Sequence, residues 1–173
     1  MILPGQEIQR RKLIEPCVEK YKFSIPHAAT LTTSGGLSAA SYDVAIDQDL
    51  TLGPSGWRGV HGKVRSYFGI ETYYPPFSLA STVEKFTMPF DVAGVVCDKS
   101  TWARLGVAVQ NTYIDPGWKG WLTLEISNNS EKTVFIPKGC PIAQIVFHLL
   151  FKPVIVGYAG KYQDQERGPQ EAR

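Results

Sequence analysis

The chain reads as an all-β protein, and three features say so. Short runs rich in Val, Ile, Thr, Phe and Tyr recur along it. The clearest run alternates apolar and polar residues with period two. Gly- and Pro-bearing turns separate the runs, at Pro75-Pro76, Pro116-Gly117, Asn128-Asn129 and Lys138-Gly139. Many short strands with such punctuation belong to a sandwich, jelly roll or barrel.

Residues 5–12 suit a short helix, although Ile8 and Leu13 give it little to bury. The small-residue stretch 30–41, TLTTSGGLSAAS, reads as loop. Strands are expected at 42–46, 64–72, 77–82, 83–88, 92–97, 106–110, 121–127, 133–137 and 143–151. The end of the chain is polar, and 159–173 is expected to be a mobile lid that a ligand orders. The 173 residues, 43% hydrophobic and 20% charged, fit a single domain spanning 1–173 with its own core.

Composition excludes several classes. Net charge is only +2 and the basic residues are scattered, so no nucleic-acid polymer is expected as a partner. No run approaches the ~18 apolar residues of a membrane span, and the start lacks a signal-peptide pattern. Cys17, Cys97 and Cys140 are far apart and odd in number, which suits reduced thiols. A cytoplasmic location is expected.

Three stretches carry candidate chemistry. In 121–127, Leu122, Leu124 and Ile126 share one face; Trp121, Thr123, Glu125 and Ser127 share the other. Glu125 is thus held on a rigid strand beside a hydroxyl and a ring, as an ordinary solvent-facing Glu would also be. The stretch 98–106, DKSTWARLG, suits one or two helical turns capped by Asp98 or Ser100 and ended by Gly106. Ser100 and Arg104 then share a face, giving either an anion site or a capped surface helix. In 114–120, Asp115-Pro116-Gly117 is turn chemistry followed by Trp118. That pairing suits a sugar, or equally a plain hairpin turn with a packing ring.

Together and in this order, the stretches resemble the dCTP deaminase family of the dUTPase-like superfamily. The family pattern R-S-S-x-A-R-x-G stands here as K-S-T-W-A-R-L-G at 99–106. I-D-P-G-[FW]-x-G-x-[IL]-x-L-E stands at 114–125, and K-Y-x-x-Q at 161–165. SYDVAI at 41–46 and FSLASTVEKFTMP at 77–89 also resemble the family. Lys99 and Thr101 depart from the commoner Arg and Ser, and Lys lacks the bidentate fork. The link from Gly106 to Asp115 is shorter than in some members.

The resemblance implies a distorted jelly roll assembled as a homotrimer, with active sites between subunits. It implies that Lys99, Ser100, Thr101, Trp102, Ala103 and Arg104 bind a triphosphate whose oxygens carry Mg²⁺. Asp115 is expected on the deoxyribose hydroxyl, with Trp118 near the sugar. Thr123 and Leu124 are expected to frame the base, and Tyr158, Lys161 and Gln165 to close over the nucleotide. The implied reaction is hydrolysis of dCTP to dUTP and ammonia, supplying dUMP for thymidylate synthesis. Glu125 is the expected general base, with Ser100 and Arg104 orienting the water and stabilising charge.

Zinc deaminases carry H-x-E and P-C-x-x-C ligand motifs. Neither occurs here, so zinc is not expected. The rivals are a dUTPase, a bifunctional enzyme releasing dUMP and pyrophosphate, and a non-catalytic nucleotide-binding regulator. dUTPases typically end in a glycine-rich arm with a stacking Phe, whereas no Phe follows Phe151 here.

Overall fold

A computed structural model describes residues 1–26, 31–55, 63–65 and 71–172. It opens with helix α1 (Gly5–Arg10), then β1 (Ile14–Glu15), β2 (Tyr21–Ser24), β3 (Thr32–Leu37), β4 (Tyr42–Ala45) and β5 (Leu50–Leu52). Next come β6 (Lys63–Arg65), β7 (Glu71–Tyr73), β8 (Phe77–Thr87) and β9 (Val92–Asp98). A four-residue helix, α2 (Ser100–Ala103), precedes β10 (Val107–Val109) and β11 (Tyr113–Ile114). Last are β12 (Lys119–Asn128), β13 (Val134–Ile136) and β14 (Pro141–Leu149).

Two larger sheets dominate. One has the order β1-β8-β12-β10, the other β11-β9-β14-β4-β3-β2, and neighbours in both are antiparallel. Their apolar faces share one buried cluster that includes Phe86, Leu124 and Ile126 from the first sheet and Val44, Val96, Ile145 and Phe147 from the second. Burial of that shared surface is the main driving force for the fold. Polar ties add register: the Asp47 amide donates to the Ser81 carbonyl at 2.8 Å, and the Ala45 amide to the Glu84 carboxylate at 3.1 Å.

The architecture is the expected all-β one with a short leading helix, and particular elements differ. The stretch 30–41 was expected to be loop, yet it supplies β3 between β2 and β4. Its glycines permit close packing there: a Cβ on Gly35 would run into the Tyr21 ring. The strands expected at 77–82 and 83–88 form the single strand β8. The break falls instead in the pairing register of β12 between Trp121 and Thr123, where the Thr82 hydroxyl accepts from the Leu122 amide. The strand expected at 64–72 falls partly on β6 and β7, which pair with each other; 66–70 lie outside the described residues. β1, β2, β5 and β11 were not expected. α2 has no side-chain cap, with Lys99 rather than Asp98 or Ser100 at its N-cap. Asp98 instead accepts the Val109 amide at 2.7 Å. Gly106 has the left-handed φ expected past the helix. The three cysteines are free, and no described helix is long and apolar enough to cross a membrane.

Candidate active site

β12 forms one wall of a cleft of about 470 Å³, within the range of small-molecule sites. The strand's alternation appears as expected: Leu122, Leu124 and Ile126 are buried, while Thr123 and Glu125 face the cleft half-buried. Pairing with β8 sets Leu79 opposite Glu125 and Phe77 opposite Ser127, and both β8 side chains line the cleft. On the other edge lies β10, and just beyond it the Gln110 amide donates to the Glu125 carbonyl at 2.9 Å. The chain then turns back, so that the Thr112 hydroxyl lies 3.3 Å from Glu125 Oε2.

The turn 115–117 makes the next wall. Trp118 is buried, packs against Phe86 with ring centroids 6.3 Å apart, and donates Nε1–H to the Tyr162 carbonyl at 2.7 Å. The polar tail is docked over this turn and over β12. Tyr158 donates its amide to the Pro116 carbonyl at 2.8 Å. Gln163 accepts from the Lys119 amide at 3.2 Å and donates to the Gly117 carbonyl at 3.0 Å. Gln165 forms a parallel bridge with Gly120, and its side-chain amide donates to the Thr123 hydroxyl at 2.5 Å. The approach requires glycine at 120, where φ is +139° and a Cβ would sit 2.7 Å from the Gln165 nitrogen. The Gln170 amide reaches the same Thr123 oxygen at 3.0 Å. Arg167 completes the docking with two hydrogen bonds to Asp47, at 2.6 and 2.7 Å.

Of the residues singled out by sequence, Asp115, Trp118, Thr123, Glu125, Tyr158 and Gln165 converge on this cleft. Leu124 points into the core at 1% exposure. Lys161 is exposed, its ammonium 5.0 Å from the Tyr162 ring centroid. The 99–104 segment does not line the cleft of its own chain. Ser100, Ala103 and Arg104 stand exposed and Thr101 half-buried. Trp102 is buried and donates Nε1–H to the Pro141 carbonyl at 2.7 Å. Lys99 is buried against Asp43. Cleft-lining residues to which sequence reasoning gave no role in the site include Phe77, Leu79, Thr112, Tyr113, Leu122 and Gln170, while Tyr162 entered only as part of the K-Y-x-x-Q motif. Phe77 and Leu79 carried a signal, since strand alternation puts them on one face; Thr112 lies in a loop without periodicity.

Two carboxyls near this framework are perturbed. The hydrogen-bonded Arg167 guanidinium, helped by Lys138, holds Asp47 below the usual carboxylate range. Burial pushes Glu84 up to about 7, against the lowering effect of the Ala45 amide. Among the described residues no three His, Cys, Asp or Glu side chains converge as a metal would need; His27 and His61 lie outside those residues.

Comparison with known proteins bears on family and fold. A family model described as dCTP deaminase-like matches residues 70–150. The dCTP deaminase of Roseiflexus castenholzii is 33% identical over 174 residues, covering 91% of this chain and 95% of the relative. That of Campylobacter fetus is 38% identical over 145 residues, covering 77% and 78%. That of Thermococcus sibiricus is 32% identical over 172 residues, covering 96% and 94%. Among solved structures, the dUTPase of Staphylococcus bacteriophage 80alpha superposes with a TM-score of 0.51 at 14% identity, covering 85% of this chain and 95% of that one. A mutant dUTPase from phage phi11 of S. aureus gives 0.50 at 15% identity, covering 86% and 97%. At such identities the structural likeness concerns the fold, which is of the dUTPase type. The extent and level of sequence identity establish that this chain belongs to the dCTP deaminase family.

Proposed function

We propose that the chain hydrolyses dCTP to dUTP and ammonia, with Glu125 as the general base. The observation that carries this reading is a carboxylate on a rigid strand, hydrogen-bonded to a hydroxyl, in a cleft that the chain's own tail covers. Water adds to C4 of the cytosine ring as Glu125 takes its proton. Glu125 hands that proton to N3. A second proton, from the new C4 hydroxyl, reaches the amino group through the same carboxylate, and ammonia leaves as the C4 carbonyl forms. Positioned proton transfer of this kind contributes ~10²–10⁴-fold to rate. Asp115 takes the deoxyribose hydroxyl, Trp118 packs near the sugar, and Thr123 with the backbone at Leu124 frames the base.

The phosphates need cations and donors that this cleft does not take from its own chain. We place the chain in a homotrimer in which the segment bearing Ser100, Thr101 and Arg104 meets the cleft of a neighbour. Ser100 and Arg104 orient the water there and stabilise developing negative charge. Tyr158, Lys161 and Gln165 close the site as a lid. The triphosphate would carry Mg²⁺, which would neutralise part of its charge; among the described residues there is no cluster of three His, Cys, Asp or Glu side chains to hold the ion.

A single incubation tests the reading: the chain with dCTP and Mg²⁺, assayed for ammonia, dUTP, dUMP and pyrophosphate. Ammonia with dUTP in equal amounts is expected. Pyrophosphate and dUMP beside ammonia would mark a bifunctional enzyme, which Asp115 and the dUTPase-type fold make the second reading. Absence of ammonia would contradict deamination.

A further inference from the structure

Lys99 heads the segment expected to grip the triphosphate, yet its ammonium points inward. It lies 2.8 Å from Asp43 Oδ2 and donates to the Ser34 hydroxyl at 3.1 Å; Ser34 in turn donates to the same Asp43 oxygen at 2.9 Å. Lys99 is 8% exposed and Asp43 2%. The three residues come from different places in the chain: Ser34 from β3, Asp43 from β4, and Lys99 from the junction of β9 with α2. The junction is held from two more sides, by Asp98 on the Val109 amide and by Trp102 on the Pro141 carbonyl. What these anchors leave outside is the exposed pair Ser100 and Arg104.

We propose that Lys99, Asp43 and Ser34 form a buried strut that positions the 100–104 segment, and that Lys99 is a positioning residue rather than a ligand of the triphosphate. The proposal rests on the deaminase reading for its substrate. A buried ammonium that turned outward would leave the Asp43 carboxylate desolvated and unpaired, a costly state. Recruiting Lys99 to a phosphate therefore works against the fold. The second Asp43 oxygen, Oδ1, is buried without a hydrogen-bond partner. A guanidinium at position 99 can use both oxygens in a bidentate pair, where an ammonium uses one. An Arg at position 99 is therefore expected to serve the strut as Lys does.

The test uses four full-length proteins: wild type, Lys99→Arg, Lys99→Met, and the double variant Lys99→Met with Asp43→Leu. Each is measured for melting temperature, for dCTP turnover, and for affinity by calorimetry with dCTP and with dCMP. Loss of one partner strands a buried charge, so Lys99→Met is expected to melt well below wild type. Replacing a buried pair by apolar residues is often neutral, so the double variant is expected to recover the melting temperature. Its preference for dCTP over dCMP should stay within about threefold of wild type, since no charge-assisted phosphate contact is lost. Lys99→Arg should keep both stability and turnover. A double variant that melts like wild type but loses about tenfold or more of that preference, the loss expected for a charged hydrogen bond, would overturn the strut. Lys99→Met melting like wild type would overturn it too. If Lys99→Met does not fold, the double and Arg variants decide. A wild type that neither binds nor deaminates dCTP overturns the deaminase reading instead, and the melting temperatures still judge the strut.

Discussion

Thr112 Oγ and Glu125 Oε2 lie 3.3 Å apart, which couples the loop after β10 to the carboxylate proposed as the base. The strand below fixes the Glu125 backbone, through pairing with Leu79 and the Gln110 amide. The hydroxyl proton has two acceptors at 3.3 Å, the Gln110 carbonyl and this carboxylate, and when given to the carboxylate it orients that group. Thr112→Val keeps the shape and removes the donor. It is expected to lower kcat by about tenfold, the value of one hydrogen bond, while KM and melting temperature change little. Thr112→Ser should restore the rate. Steady-state ammonia release decides, and a Val variant at full kcat would remove Thr112 from the mechanism.

The tail makes a second prediction. Its contacts with the body are mostly hydrogen bonds, from Gln163, Gln165, Arg167 and Gln170. It therefore adds little apolar burial. Removal of residues 161–173 should abolish turnover and leave the chain folded, at a cost of about 1 kcal/mol for the Trp118 N–H, which exchanges the Tyr162 carbonyl for water. Circular dichroism and ammonia release on the truncated chain test both halves. Full activity without the tail would rule out the lid.

Glu84 gives a pH dependence of stability. The residue is 4% exposed, and burial raises its carboxyl to about 7 from an unfolded value near 4.5. The folded state holds this proton more tightly than the unfolded state. The associated stability is fully present below pH 4.5 and is lost as pH rises through about 7. At roughly 1.4 kcal/mol for each tenfold difference in proton affinity, the loss is on the order of 3 kcal/mol. Glu84→Gln keeps an acceptor for the Ala45 amide and removes the titration. Chemical denaturation at pH 5 and pH 8 should show this fall in wild type and a flatter profile in the variant. Equal slopes in both would contradict the assignment.

Metal dependence should follow the nucleotide rather than the protein. A chelator selective for zinc is expected to leave deamination unchanged, because the zinc-deaminase ligand motifs are missing from the sequence. Withdrawal of Mg²⁺ should weaken dCTP binding by uncovering phosphate charge. Stoichiometric zinc in active protein, by elemental analysis, would overturn this mechanism.

What the sequence made legible follows periodicity and turn chemistry. The face of β12 that carries Glu125 was readable because Leu122, Leu124 and Ile126 mark the opposite face without interruption. Asp115 and Trp118 were readable because the 115–117 turn fixes where they stand. Thr112 was not, since a residue between strands has no period and its partner is thirteen positions away. The two-residue strands β1 and β11 are too short for alternation to register. β8 runs on through Thr82, whose hydroxyl accepts from the Leu122 amide and donates to the Glu84 carbonyl, long-range and local ties that periodicity does not register. The inward turn of Lys99 depends on Asp43 and Ser34, which are distant in sequence and adjacent only in the folded sheet.

The most direct measurement is Glu125→Gln, compared with wild type by dCTP calorimetry and by ammonia release. The substitution keeps the side chain's size, its acceptor for Thr112 and its place on the half-buried face of β12. Folding and dCTP affinity should therefore be close to wild type. Turnover should fall by at least the ~10²–10⁴ of a lost general base. A variant that still deaminates dCTP within about tenfold of the wild-type rate, far above that range, would show that Glu125 is not the base.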